Sequence, residues 1–162
     1  MATVNSIAAA AKTAARGEKV LRLLLAESVD LQCRNIMCEK LEEACVCRLA
    51  RFVTQTRLVD LIELDITSNR LDVLPTTVFE ELPALEKLVL AKNNLRTVPE
   101  EVSKLSNLQI LDIRENPIES LPTEAIASLP KLEQLFVQGL SPEIVLALKN
   151  ALAETSCDVF DE

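Results

Sequence analysis

Four cysteines crowd the first third of the chain, Cys33, Cys38, Cys45 and Cys47, with Cys157 far downstream. Thiolates bind zinc, so the cluster invites a metal. Its spacing argues against one. Common zinc sites are built from Cys-x-x-Cys knuckles, and no such knuckle is present. If residues 38–54 form a helix, Cys45 and Cys47 point about 200° apart around its axis and cannot reach one ion. Cys38 and Cys45 read better as small buried hydrophobes. No metal is expected. An odd count without a secretory signal fits reduced thiols and a cytoplasmic setting, with an organellar or nuclear one as the alternative.

Other chemistry is scarce. The 162 residues include no His, so there is no imidazole base and no His-containing triad. Paired acids recur at Glu42-Glu43, Glu80-Glu81 and Glu100-Glu101. Each pair falls on a predicted exposed turn, where two carboxylates are solvated surface. Gly17 and Gly139 are the only glycines, too few for a phosphate-cradling loop. Neither catalysis, a cofactor nor a small-molecule substrate is expected.

Charge narrows the partners. The net charge is -8, and there are four Phe but neither Trp nor Tyr. A base-stacking nucleic-acid platform does not fit that composition. Acidic membranes would be repelled, and no apolar run approaches the roughly 18 residues of a spanning helix. Lys12, Arg16, Lys19 and Arg22 stand against Glu18 in residues 1–26, so this basic, Ala-rich start opposes an acidic body. Lys12 sits where a secretory signal needs apolar residues. An organellar address shares the Ala-rich, acid-poor start.

The elements that must position any site come from a repeat. Leu supplies 28 residues, roughly twice its ordinary share. One unit begins Leu61-Ile-Glu-Leu64-Asp-Ile66-Thr-Ser-Asn69-Arg-Leu71. The next begins Leu85-Glu-Lys-Leu88-Val-Leu90-Ala-Lys-Asn93-Asn-Leu95. The third begins Leu108-Gln-Ile-Leu111-Asp-Ile113-Arg-Glu-Asn116-Pro-Ile118, and a fourth opens at Leu132 and fades after Val137. Positions 4 and 6 of each unit share one face of a short strand. One unit cannot cover that face, so neighbours must stack on it. Asn69, Asn93 and Asn116 recur where the chain leaves the strand. A buried amide there can satisfy the free backbone groups. The Leu-Pro and Val-Pro pairs that follow force an extended return.

This pattern resembles the leucine-rich-repeat family, whose core is Leu-x-x-Leu-x-Leu-x-x-Asn-x-Leu, over residues 58–137. The resemblance implies an α/β fold: a short right-handed solenoid with a parallel concave sheet of four to six strands. It also implies a protein partner, and it is to the short intracellular type that the chain is most similar. Three segments follow: a helical N-terminal cap with a degenerate first repeat (1–57), the repeats (58–140), and a C-terminal cap helix with tail (141–162). Residues 3–26 are expected to form the capping helix, and Val29-Asp-Leu31-Gln-Cys33-Arg-Asn-Ile36 the degenerate repeat. Cys38, Leu41, Cys45, Leu49 and Phe52 mark a further helix over 38–54. Ser141-Pro142-Glu143 is a helix start with Ser as N-cap. Ile144, Leu146, Leu148 and Leu152 supply that helix's apolar surface. Residues 155–162 are either a last strand or a loose tail.

The candidate site is the outward face of the strands. Position 5 runs Asp30, Asp65, Val89, Asp112, Phe136, and position 3 includes Glu63, Lys87, Ile110 and Gln134. With strands roughly 4.8 Å apart, Val89, Ile110 and Phe136 are expected to form one apolar patch. Glu63, Asp65, Lys87, Asp112 and Arg114 would fringe it. An apolar centre with a charged rim is how binding hot spots are built. The expected function is a non-catalytic adaptor or regulator that grips a protein there. The alternative is a constitutive subunit of a large assembly, anchored by the basic N-terminal helix.

Overall fold

The computed structural model describes residues 2–23, 46–56 and 58–162. Among them seven short strands form one parallel sheet in sequence order. These are β1 (Ala2–Val4), β2 (Val20–Leu23), β3 (Glu63–Asp65), β4 (Lys87–Val89), β5 (Ile110–Asp112), β6 (Gln134–Phe136) and β7 (Asp158–Phe160). Five helices lie between them: α1 (Ile7–Ala14), α2 (Val46–Gln55), α3 (Thr77–Glu80), α4 (Thr123–Ala127) and α5 (Pro142–Ala151). A 3-10 turn, Glu100–Lys104, takes the helix position between β4 and β5.

The register explains the stack. Leu21, Leu64, Leu88, Leu111, Leu135 and Val159 pair in one row across β2 to β7. All but Val159 are fully buried. Burying one Leu is worth about 1.5–3 kcal/mol, and no isolated unit could do it. Strands stack about 4.8 Å apart, whereas helices need about 8–10 Å. Helices and turns on the outer side therefore bend the sheet, which becomes the inner, concave face.

The predicted Asn ladder is present and buried. Asn93 Oδ1 accepts from Asn69 N at 2.9 Å and Leu71 N at 3.1 Å. Its Nδ2 donates to Ile66 O, Leu90 O and Ala91 O at 2.9–3.2 Å. Asn116 does the same one coil on, accepting from Leu95 N and donating to Leu90 O, Ile113 O and Arg114 O. Asn69 Nδ2 reaches back to Leu23 O at 2.8 Å. Each amide thus closes its own turn and ties it to a neighbour. The residue before each Asn is left-handed: Ser68 at φ 59°, Lys92 at 57° and Glu115 at 52°. In the fourth unit Gly139 takes that place at φ 85°, and Leu140 stands where the Asn would be.

The N-terminal expectations need correction. Residues 3–26 do not form one helix. The helix covers only Ile7–Ala14, with Ser6 Oγ accepting from Ala9 N at 3.1 Å. Gly17, at φ 85°, then turns the chain into β2. Val20, Leu21 and Leu23, expected on a helix, alternate along a strand that buries Leu21 and Leu23. The place beside β3 belongs to β2, so Arg22, and not Asp30, stands opposite Asp65. The proposed repeat at 29–36 lies outside the described residues, as do Cys33, Cys38 and Cys45. Further along, α2 ends within a residue of expectation and buries Leu49 and Phe52 as predicted.

At the other end α5 starts at Pro142 as expected, but the Ser141 side chain makes no capping bond. Leu148 and Leu152 are buried, whereas Leu146 is 61% exposed. Two residues on a helix are about 200° apart, so Leu146 cannot share the face of Leu148. Residues 158–160 are a true strand. No helix among the described residues is long and apolar enough to cross a membrane.

Candidate protein-binding face

The pleat turns positions 3 and 5 of each strand outward, away from the buried row. Register sets their neighbours. Position 5 reads Arg22, Asp65, Val89, Asp112, Phe136, Phe160 from β2 to β7. Position 3 reads Val20, Glu63, Lys87, Ile110, Gln134, Asp158 in the same direction. An open trough runs along these rows, lined by Asp65, Lys87, Val89, Ile110, Arg114 and Phe136 among others.

Its charges are paired internally. Arg22 Nε lies 3.2 Å from Asp65 Oδ2, a contact of charge without hydrogen-bond alignment. Lys87 Nζ meets Glu63 Oε1 at 3.1 Å, and Arg114 Nε meets Asp112 Oδ2 at 3.1 Å. The second oxygens of the two aspartates serve the backbone. Asp65 Oδ1 accepts from Thr67 N at 2.9 Å, and Asp112 Oδ1 from Arg114 N at 3.2 Å. These two-residue loops steady the exit from each strand.

Two expected site residues behave differently from their roles. Asp112 was placed on the rim, yet it is only 4% exposed. Burial pushes its carboxyl above the usual range, against the Arg114 backbone N–H and guanidinium. Asp65 adds to that rise and Lys87 opposes it. Val89 was to stand out in the patch, and it is 9% exposed. Its short branched side chain forms the trough floor below the longer Lys87 and Arg114. Asp112 also separates Val89 from Phe136 along their row, so the patch is not continuous there. Ile110 stays half-buried and outward, diagonal to both.

The aromatic end is larger than the sequence suggested. Phe136 stacks on Phe160, with ring centroids 4.7 Å apart and planes 14° from parallel. The Arg114 guanidinium carbon sits 5.7 Å from the Phe136 centroid on the same face. Such contacts each add about 0.5–1.5 kcal/mol beyond burial. Phe160 was missed, although Asp158-Val-Phe160 repeats Gln134-Leu-Phe136 in register. Arg22 was missed because its strand was taken for helix. At Cys157, beside this end, burial first and then Asp158 push the thiol up to about 11. No group of metal-ligating residues gathers among the described residues.

The outer side is held differently. Lys104 Nζ reaches Glu80 Oε1 at 2.6 Å, and Arg96 pairs with Glu119 one coil on. Lys131 Nζ donates to Asn107 Oδ1, and Asn107 Nδ2 to Pro83 O. These exposed contacts join successive coils; a shallow cavity lined by Glu100, Leu121, Pro122, Thr123, Glu124 and Ala125 lies beside one of the acid pairs.

Comparison with known proteins agrees with this architecture. A leucine rich repeat model matches residues 60–117, and a second matches residues 107–129. A MAP kinase phosphatase with leucine-rich repeats from Dictyostelium discoideum is 38% identical over 49 residues. That stretch is 30% of this chain and 6% of the phosphatase. A leucine-rich-repeat protein of Leptospira interrogans superposes with a TM-score of 0.59 at 31% identity, over 66% of this chain and 27% of that one. An internalin of Listeria monocytogenes aligns over 74% of this chain and 38% of its own, at a TM-score of 0.42 and 17% identity. The chain therefore spans less than two fifths of each of these three proteins.

Proposed function

We propose that this chain, whose residues 60–129 match leucine-rich-repeat models, is a non-catalytic adaptor or regulator that holds a partner protein in its concave trough. Leucine-rich repeats generally mediate protein–protein interaction. The observation that supports the trough is the outward Ile110 and Phe136 beside three internally neutralised ion pairs. A self-paired rim costs little to bring against a partner, because no lone charge is stripped of water. Apolar and aromatic side chains at the centre then supply the affinity. The reduced-thiol composition favours a cytoplasmic meeting place.

The test is co-purification of the tagged full chain with mass spectrometry, repeated with single substitutions. Phe136→Asp and Ile110→Asp should each lose the principal partner while the circular dichroism spectrum is unchanged. Glu124→Arg, exposed on the outer side, should retain it. A partner kept by both aspartate variants and lost by Glu124→Arg would move the binding surface to the outer side.

A further inference from the structure

The ion pairs of the concave face are unequal. Arg22 keeps 39% of its side chain exposed and Asp65 14%; Lys87 keeps 38% and Glu63 23%; Arg114 keeps 44% and Asp112 6%. In each pair the acid lies down on the sheet and the base stands over it. Hydrogen bonding divides in the same way. Asp65 turns one oxygen to Thr67 N and the other to Arg22, and Asp112 turns one to Arg114 N and the other to the Arg114 guanidinium. Both oxygens of each aspartate are thus engaged inside the protein. No terminal nitrogen of either guanidinium makes a hydrogen bond among the described residues, so each arginine keeps donors to offer.

Geometry holds these forks ready. Arg114 is fixed at Nε by Asp112, 3.1 Å away, and on its face by the Phe136 ring, whose centroid is 5.7 Å from the guanidinium carbon. A planar fork held on two sides loses little freedom on meeting a carboxylate and can grip both of its oxygens. Arg22 lies on β2 and Arg114 follows β5, three strand spacings away, or about 14 Å. Four residues of extended chain span about 13 Å, and residues i and i+4 of such a chain face the same way. Glu63 and Glu115, the other acids near this path, are each held by a lysine, Lys87 at 3.1 Å and Lys92 at 3.4 Å. The net charge of -8 opposes an acidic visitor at a distance, but physiological salt screens charges more than about 8 Å apart.

We propose, resting on the reading that the trough holds the partner, that what it holds is an extended acidic segment lying across the strands. One carboxylate takes the fork of Arg22, and a second, four residues on, takes the fork of Arg114. An apolar side chain two residues further covers Ile110 and Phe136. The standing bases set the direction of the segment and reject a basic one, and the apolar end supplies the affinity.

The probe is a fluorescent peptide, acetyl-Glu-Ser-Thr-Ser-Glu-Ser-Phe-amide, titrated with the full chain and followed by anisotropy. Saturable binding is expected, and it should weaken as salt rises. An analogue with Gln for both Glu should bind at least roughly tenfold more weakly, about 1.4 kcal/mol, and one with Lys should not bind. Arg22→Gln and Arg114→Gln should each weaken binding by a similar factor with an unchanged circular dichroism spectrum, and Glu124→Arg should leave it intact. Absence of saturation, or binding indifferent to the Gln analogue and to both arginine variants, overturns the proposal. So does tighter binding of the Lys analogue or of an oligothymidylate of similar length. The trough itself is judged separately. A co-purified partner that is lost by Phe136→Asp but kept by Arg22→Gln and Arg114→Gln upholds the trough and overturns the acidic segment.

Discussion

The middle coils and the last one solve the same problem with different residues. In the middle, Asn93 and Asn116 close each turn with buried amide bonds, after a left-handed Lys92 or Glu115. In the last coil Gly139 and Leu140 hold those places, and the only side-chain amide bond across the turn among the described residues runs from Gln138 Nε2 to Glu162 O at 2.9 Å, near the surface. Stability there comes instead from α5 and the Phe136–Phe160 stack, the exposed Lys149–Asp161 pair adding little. The difference teaches that the repeat pattern tracks what must be buried between two coils. In the coil from Leu132 the pattern fades and other side-chain contacts take over.

Substitutions can break that contrast. Asn93→Ala should have the largest effect. It removes one acceptor and one donor group that together make five buried bonds, leaving peptide groups without partners. Unfolding by urea should show a loss of about 3 kcal/mol or more. Gly139→Ala should come next, at about 1 kcal/mol, from left-handed backbone strain alone. A Cβ there would meet the Glu115 backbone at 3.6 Å, an ordinary contact. Lys92→Gly, the reciprocal change in a middle coil, should be near neutral by thermal melting.

Asp112→Asn sharpens the contrast from the concave side. The folded carboxyl titrates above its unfolded value of 3.8 because of burial. A raised acid favours folding below the unfolded pKa, and that contribution is lost as pH rises through the folded pKa. The Asn variant, which can still accept from Arg114 N, should therefore gain stability relative to the parent between about pH 3 and pH 7. Parallel stability–pH curves would remove burial as the cause. The smallest effect belongs to Lys104→Ala. The Glu80 hydrogen bond raises the Lys104 pKa, but the pair lies exposed at the surface. No measurable change in melting midpoint is expected, in low or high salt.

Legibility followed the same division. The strands β3 to β6, the Asn ladder and the buried leucines could be read because burial forces residue type at fixed spacing. Outward positions carry no such constraint, so Asp112 read as rim and Val89 as patch until neighbours were placed. Val20 to Leu23 misled because a dense aliphatic run has the same composition in a helix and a strand, and only pairing with β3 decides it. Phe160 was hidden by its distance from the last recognisable Asn, although it keeps the register of Phe136.

Hydrogen exchange of single amides tests the stacked-coil account most directly. Asn69 and Leu71 N–H both donate to Asn93 Oδ1 from the neighbouring coil. Both should exchange slowly in the parent protein and much faster in Asn93→Ala, with amides in α5 less affected. Equal rates at Asn69 and Leu71 in the two proteins would contradict it.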